Sequence, residues 1–149
     1  MEQVWNRLAA LEDIQLWSET VTAARCEGAI KRGAGAERTC DLVGGITITE
    51  RWIAWQEGVS FTYEGFGIPL VRHARNRWTL EPEGEQTVVR SEAHVVLKGG
   101  RWGRLLEPLL AMQFRRMGPP TLAAFKYLVE HGEAPSVRRS KLPAAAAAC

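Results

Sequence analysis

Residues 44–55 read GGITITERWIAW, and this stretch decides the fold. A period of two, apolar except at one position, is typical of a β-strand with one face against a core. The alternating residues are Ile46, Ile48, Glu50, Trp52 and Ala54. The two glycines before the strand predict a tight turn, because glycine adopts backbone conformations that other residues avoid. A carboxylate in the middle of an apolar face needs a partner, so Glu50 ties this strand to its neighbour.

The preceding strand, predicted at 36–42, supplies that partner. If residues 43–45 form a three-residue turn, Arg38 lies directly opposite Glu50. A carboxylate buried alone costs several kcal/mol, so a paired arginine is the expected solution. Two interpretations are open: the pair closes one end of the sheet, or it lines a cavity and binds a polar group of a ligand. A two-residue turn would instead place Thr39 opposite Glu50.

The same alternation extends on both sides of this stretch. It predicts six sequential antiparallel strands, joined by short turns that contain Gly or Pro, and such an order forms a meander. The predicted strands are 20–27, 36–42, 46–55, 59–65, 71–80 and 87–98.

Helical periodicity flanks the strands at both ends. A helix is predicted from Glu2 to about Leu11, followed by a short helical turn at 13–17. A long helix is predicted over about 101–131, with a break or strong kink at 118–120, where the chain reads Gly-Pro-Pro.

A curved sheet with one apolar face must cover that face, and only the long helix is large enough to do so. The sequence therefore predicts an α+β domain over residues 1–132, with a sheet curved around the C-terminal helix. Residues 133–149 have no amphipathic pattern, and we expect them to form a mobile tail.

This order of elements resembles the START/Bet v 1-like (SRPBCC) superfamily, which has the helix-grip fold, and within it the bacterial polyketide cyclase/dehydrase-like branch. The resemblance covers about residues 3–132. The matching stretches are VWNRLAALEDIQLW at 4–17, GAGAERTC at 33–40, GGITITERWIAW at 44–55, WTLEPEGEQTVV at 78–89 and FKYLVEHG at 125–132. The family includes ligand carriers, aromatic-ring cyclases and proteins of unknown role on one pocket-bearing scaffold.

The resemblance also implies a strand before the first helix, whereas here the helix begins almost at Met1. Either that edge strand is missing, or the true start of the protein lies upstream of Met1, and both alternatives stay open. An uncovered edge can pair with another chain, which favours a homodimer.

The next hairpin adds aromatic residues to the same face. A four-residue loop at 56–59 places Trp52 opposite Tyr63 and Ala54 opposite Phe61. These rings either pack as core or line a cavity.

The last hairpin places a polar pair on an otherwise apolar wall. A loop at 82–85 puts Trp78 opposite Val89 and Asn76 opposite Ser91. The two polar side chains either satisfy each other or orient a ligand carbonyl or hydroxyl. On the outer face the same register predicts that His73 lies opposite His94. We expect that solvated pair to bind no metal, because no third ligand has suitable spacing.

The long helix carries a broad apolar arc that includes Leu109, Met112 and Met117, with Gln113 near its centre. A buried glutamine needs partners. Either water in a cavity between helix and sheet or a backbone group supplies them.

These features predict a protein that binds a small hydrophobic or aromatic molecule, lipid- or polyketide-like, between the sheet and the long helix. The predicted ligand-binding residues are Arg38, Glu50, Trp52, Phe61, Tyr63, Asn76, Trp78, Ser91, Leu109, Met112, Gln113 and Met117. The alternative is a cyclase/dehydrase-type enzyme that uses the same cavity, with Glu50 or Tyr63 moving protons. A third hypothesis is a regulator or stress protein that acts through a protein contact.

Charge and motifs exclude other classes. The net charge of +2 gives no basic field of the kind that binds nucleic acid. No apolar run reaches the length of a membrane span. The chain has no Walker loop or dinucleotide fingerprint, so no cofactor is predicted. Three cysteines without metal-ligand spacing predict a reduced, cytoplasmic protein without a metal site; they are Cys26, Cys40 and Cys149.

Overall fold

The structure is a computed structural model that describes residues 1–99, 101–136 and 142–143. Along 101–115 it describes the backbone and, of the side chains, those of Pro108 and Met112. It confirms the predicted architecture: one antiparallel sheet with a long C-terminal helix, the helix-grip arrangement.

Six strands follow one another in the sheet in chain order, so the meander is confirmed. Each strand begins and ends within three residues of its predicted bounds. They are β1 (Val21–Glu27), β2 (Glu37–Leu42), β3 (Ile46–Gln56), β4 (Ser60–Phe66), β5 (Val71–Glu83) and β6 (Gln86–Leu97).

In the described part of the chain, three α-helices accompany the sheet. The first is α1 (Glu2–Ala9), and a single 3-10 turn (Leu11–Asp13) joins it to α2 (Ile14–Trp17). The third is α3 (Arg101–His131), which begins after β6.

The predicted break at 118–120 is wrong, because α3 continues through Pro119 and Pro120. Proline removes a backbone donor, but its fixed φ is close to the helical value, so the chain can remain helical at the cost of hydrogen bonds. Directly after the two prolines, the hydroxyl of Thr121 donates to the carbonyl of Met117, one turn earlier, at 2.8 Å.

The register of β2 and β3 is as predicted. Leu42 lies opposite Ile46 across a three-residue turn, and Arg38 lies opposite Glu50. Both glycines of this turn, Gly44 and Gly45, have positive φ, which explains their place in the sequence.

The hairpin of β3 and β4 is partly as predicted. Trp52 lies opposite Tyr63, but a bulge after Trp52 places Ala54 opposite Thr62 and Trp55 opposite Phe61. The predicted pairing of Ala54 with Phe61 is therefore wrong, and Trp55 takes that place on the inner face. The loop is one residue shorter than predicted, and the bulge compensates for this difference at Trp52.

The predicted register of β5 and β6 is wrong by two residues, because the turn has two residues instead of four. Glu83 lies opposite Gln86, so Asn76 lies opposite Ala93 and Ser91 lies opposite Trp78. A shift of two keeps every side chain on its predicted face. The predicted pair of histidines is also wrong: His73 lies opposite Val96, and His94 lies opposite Arg75.

The core lies between the inner face of the sheet, α1, α2 and the second half of α3. Its buried residues are Trp5, Leu8, Ala9, Leu11, Trp17, Cys26, Ala36, Trp52, Phe61, Trp78, Leu80, Ala124, Phe125 and Leu128. Within the predicted tail, Leu142 packs against this cluster. Other tail residues, 137–141 and 144–149, lie outside the described residues.

Candidate ligand-binding site

Arg38 and Glu50 form an ion pair inside the protein. Their exposed fractions are 4% and 6%. The guanidinium Nε and Nη2 donate to the same carboxylate oxygen, Oε2 of Glu50, at 2.8 and 2.5 Å. The inward carboxylate at the centre of β3 is therefore explained by the arginine opposite it.

Three further contacts hold the pair. Nη1 of Arg38 donates to the backbone carbonyl of Leu11 at 2.5 Å, which connects the sheet to the 3-10 turn. The guanidinium lies over the ring of Trp52, 5.0 Å from its centroid, at a distance that permits a cation–π interaction. The thiol of Cys40 donates weakly to Glu50 Oε2 at 3.6 Å. The pair thus joins β2, β3 and the N-terminal segment.

A chain of hydrogen bonds crosses the inner face of β4, β5 and β6. The hydroxyl of Ser91 donates to Oδ1 of Asn76 at 3.1 Å, and Nδ2 of Asn76 donates to the hydroxyl oxygen of Tyr63 at 3.2 Å. The predicted contact of Asn76 with Ser91 therefore exists, although the two residues are diagonal neighbours instead of direct partners.

The phenol of Tyr63 has a raised pKa. Burial raises the pKa of its hydroxyl, and the nearby carboxylate of Glu50 raises it further. Its oxygen already accepts from Asn76. Among the residues that the structure describes, no group accepts the Tyr63 proton.

Aromatic rings surround these polar groups. Trp52 lies 5.1 Å from Tyr63 and 5.9 Å from Phe61, measured between ring centroids. Trp78 meets Trp17 edge-on at 5.8 Å. The indole N–H groups of Trp17 and Trp52 are buried without a hydrogen-bond partner in the described part of the chain. An unsatisfied buried donor is unusual, and it costs stability unless water or a ligand accepts from it.

Of the four side chains of α3 that were predicted to bind the ligand, the structure describes two. The side chains of Leu109 and Gln113 lie outside the described residues. Met112 is 47% exposed, and Met117 is half-buried. The cavity between sheet and helix thus stays a prediction. An open groove of about 490 Å³ lies elsewhere, along α1, and its lining includes Gln3, Asn6 and Arg7.

One cluster was not predicted. The carboxylate of Glu57 accepts from the indole N–H groups of Trp5 and Trp55, both at 2.7 Å, and from Arg32. The bonds from Trp55 and Trp5 hold the pKa of Glu57 below its usual range. This cluster attaches α1 to the hairpin of β3 and β4. Trp5 and Trp55 lie far apart in the sequence, and nothing in the sequence indicates that both donate to the carboxylate of Glu57.

The described residues contain no group of three or more His, Cys, Asp or Glu side chains placed to hold a metal ion. Within the same ranges, no helix is both long enough and apolar enough to cross a bilayer.

Two thiols next to this site are predicted to be unreactive. Cys26 and Cys40 are free and buried. Burial raises the pKa of Cys40 to about 12 and also raises the pKa of Cys26. The reactive thiolate is therefore scarce at pH 8. With Cys149 replaced by serine, we expect mass spectrometry to show no alkylation by iodoacetamide in the native protein and two alkylated sites in denaturant. Rapid native alkylation of Cys40 would contradict the buried site.

Comparison with known proteins identifies the family of the chain. A sequence profile described as polyketide cyclase/dehydrase and lipid transport matches residues 1–130. The chain belongs to this family. No curated protein matches it in sequence.

Solved structures support the fold of this polyketide cyclase/dehydrase and lipid transport family member. A Thermobifida fusca protein is similar with a TM-score of 0.63 and 24% identity, over 87% of each chain. Norcoclaurine synthase of Thalictrum flavum, bound to a transition-state analogue, is similar with a TM-score of 0.63 and 16% identity, over 89% of this chain and 88% of that one.

The di-domain aromatase/cyclase StfQ of the steffimycin biosynthetic pathway is also similar, with a TM-score of 0.64 and 16% identity. The match covers 88% of this chain and 47% of StfQ. At these identities the likeness concerns the fold.

Proposed function

We propose that the protein binds a small hydrophobic or aromatic molecule that carries a carbonyl or hydroxyl oxygen, lipid- or polyketide-like, on the inner face of the sheet beneath α3. The observation that carries this proposal is the polar chain from Ser91 through Asn76 to Tyr63. Its bonds run in one direction and leave the Tyr63 proton without an acceptor in the described residues. A donor fixed in this way suits an oxygen of the ligand.

The surroundings of Tyr63 support an apolar ligand body. Trp52 and Phe61 lie beside it on the same face, and aromatic rings contribute large apolar area. The buried N–H of Trp52 also lacks an acceptor in the described residues and offers a second hydrogen bond to the ligand or to a trapped water. The family assignment agrees with a hydrophobic ligand.

Binding is favoured over catalysis by the state of the two candidate proton carriers. Glu50 is occupied by the two hydrogen bonds from Arg38, so it is not a free base. The pKa of Tyr63 is raised, chiefly by burial, so its phenol stays protonated and donates instead of accepting a proton. These features orient a ligand oxygen and supply no base.

The test uses two probes of similar shape, acetylnaphthalene and ethylnaphthalene, which differ in one carbonyl group. Tyr63→Phe keeps the ring and removes the hydroxyl. We expect it to weaken the binding of acetylnaphthalene roughly tenfold, the size of one lost hydrogen bond, and to leave ethylnaphthalene unchanged. Tryptophan fluorescence titration measures both affinities.

Thr62→Val is the matched control, since Thr62 is the neighbouring hydroxyl on the outer face of β4. It should change neither affinity. If Tyr63→Phe weakens both probes equally, Tyr63 does not recognise the carbonyl. If neither probe binds and native mass spectrometry of the protein from its own host shows no retained small molecule, the proposed function is wrong.

A further inference from the structure

The two edges of the sheet differ in how their backbone groups are covered. At the β1 edge, the N–H of Cys26 donates to Glu12 at 2.7 Å, and the carbonyl of Cys26 accepts from Lys31. Side chains therefore cover this edge at Cys26. At the β6 edge, no strand within the described ranges pairs with Gln86–Leu97 on its outer side.

The β6 edge carries the charged residues Arg90 and Glu92 but lacks two other residue types that commonly protect an edge. Its 12 residues contain no proline and no lysine, whereas natural proteins commonly place such residues on free edges. Most of its central residues, from Arg90 to His94, are exposed. A long, free, regular edge of this kind is a surface for pairing with another strand.

The direction of the free backbone groups follows from the turn. Glu83 and Gln86 flank a two-residue turn, so they form a hydrogen-bonded pair. Alternate residues of β6 then point their N–H and C=O groups away from β5. Among these residues are Val89, Ser91 and Ala93.

The charges on β6 are self-complementary. Antiparallel pairing of two β6 strands centred on Ser91 places Arg90 of each copy opposite Glu92 of the other. Opposite charges directly across a strand pair stabilise it. The residues opposite Arg90 would be Val88 for a centre at Val89, and Val96 for a centre at Ala93. Of these three centres, only Ser91 uses the free backbone groups and also places Arg90 of each copy opposite Glu92 of the other.

We propose that β6 pairs with β6 of a second copy of this chain, antiparallel and centred on Ser91, to form one continuous sheet across a twofold dimer. The interface is isologous, as in most dimers. In this register Arg90 and Glu92 of the other copy form a non-hydrogen-bonded pair, in which side chains are closest. Arg90 already contacts Glu81 of its own chain at 3.2 Å, and both side chains are about half exposed. Glu92 of the partner thus extends an existing surface ion pair.

The first test is sedimentation over a wide range of protein concentration. Ser91→Pro removes an N–H that β5 does not use, so the monomer keeps its backbone bonds between β5 and β6 and loses the side-chain bond from Ser91 to Asn76. We expect the wild type to be a dimer and this variant to have a Kd raised roughly tenfold to a hundredfold. Arg90→Glu should weaken the dimer, and the double change Arg90→Glu with Glu92→Arg should restore it. Arg51→Glu, at an exposed arginine of the central strand β3, is the control and should remain dimeric.

Cross-linking tests the register. Without Cys149, Ser91→Cys should form a disulfide between copies on oxidation, because residues paired at the centre have Cα atoms about 5.5 Å apart. Ala93→Cys should not, since its two copies are about 13 Å apart along the strands. A monomeric wild type overturns the proposal, and so does a dimer that survives Ser91→Pro and Arg90→Glu. Cross-linking through position 93 but not through position 91 would exclude this register.

Discussion

Replacing Arg38 by alanine is expected to lower the free energy of unfolding by about 3–5 kcal/mol, the usual cost of leaving one member of a buried ion pair alone. Glu50 would lose its partner in a site where it is 6% exposed. The carbonyl of Leu11 would lose the donor that now lies 2.5 Å away. Urea denaturation followed by tryptophan fluorescence measures the loss.

Two further variants test whether the loss of stability comes from a charge left buried without its partner. Arg51→Ala is the matched control, because Arg51 pairs with Glu37 in the adjacent register position but is exposed. It should cost less than about 1 kcal/mol. Replacing Arg38 by methionine and Glu50 by leucine together should cost less than Arg38→Ala alone, since no charge is then left buried. If Arg38→Ala costs no more than Arg51→Ala, the buried pair does not stabilise the fold.

The same double variant separates the two interpretations of the pair. If it folds and binds acetylnaphthalene with wild-type affinity, the pair is structural. If it folds and still binds ethylnaphthalene but no longer binds acetylnaphthalene, the pair orients the ligand. The geometry supports the structural role, because all three nitrogen atoms of the Arg38 guanidinium donate to Glu50 or to the carbonyl of Leu11.

The fold could be predicted because its signals are local. Alternation in β3 placed Arg38 opposite Glu50 on the condition that residues 43–45 form a three-residue turn, and the structure has that turn. The switch of period after β6 predicted the long C-terminal helix, and the resemblance of this order to a known family implied the helix-grip fold.

The sequence did not reveal features that depend on single-residue insertions or on distant contacts. The bulge after Trp52 moves Ala54 off the inner face, yet an extra residue in a strand has no distinct composition. The turn at Gly84 has two residues, and the surrounding Glu-Pro-Glu-Gly-Glu run is equally compatible with four. The bond from Arg38 to Leu11 joins segments 27 residues apart, which periodicity does not relate.

The second large effect is expected at the helix. Phe125→Ala should lower the free energy of unfolding by about 3–5 kcal/mol, the usual cost of emptying a buried aromatic site. Phe125 is 2% exposed and meets Trp17 edge-on at 5.2 Å, and Trp17 meets Trp78 of β5 at 5.8 Å. These three rings connect α3 to the sheet through α2. Removing the first ring leaves a cavity beneath the helix and takes away a contact of Trp17.

Phe66→Ala is the matched control, because it makes the same chemical change at a side chain that is 46% exposed. It should cost less than about 1 kcal/mol. Leu128→Ala, at a fully buried neighbour on the same helix, should cost about 2–5 kcal/mol and repeats the test without an aromatic ring.

Denaturation curves for the wild type and the three variants are compared at one temperature. If Phe125→Ala and Leu128→Ala are as mild as Phe66→Ala, the second half of α3 does not hold the helix to the sheet. If both are severe, this half of the helix anchors α3 to the sheet beside the proposed ligand site.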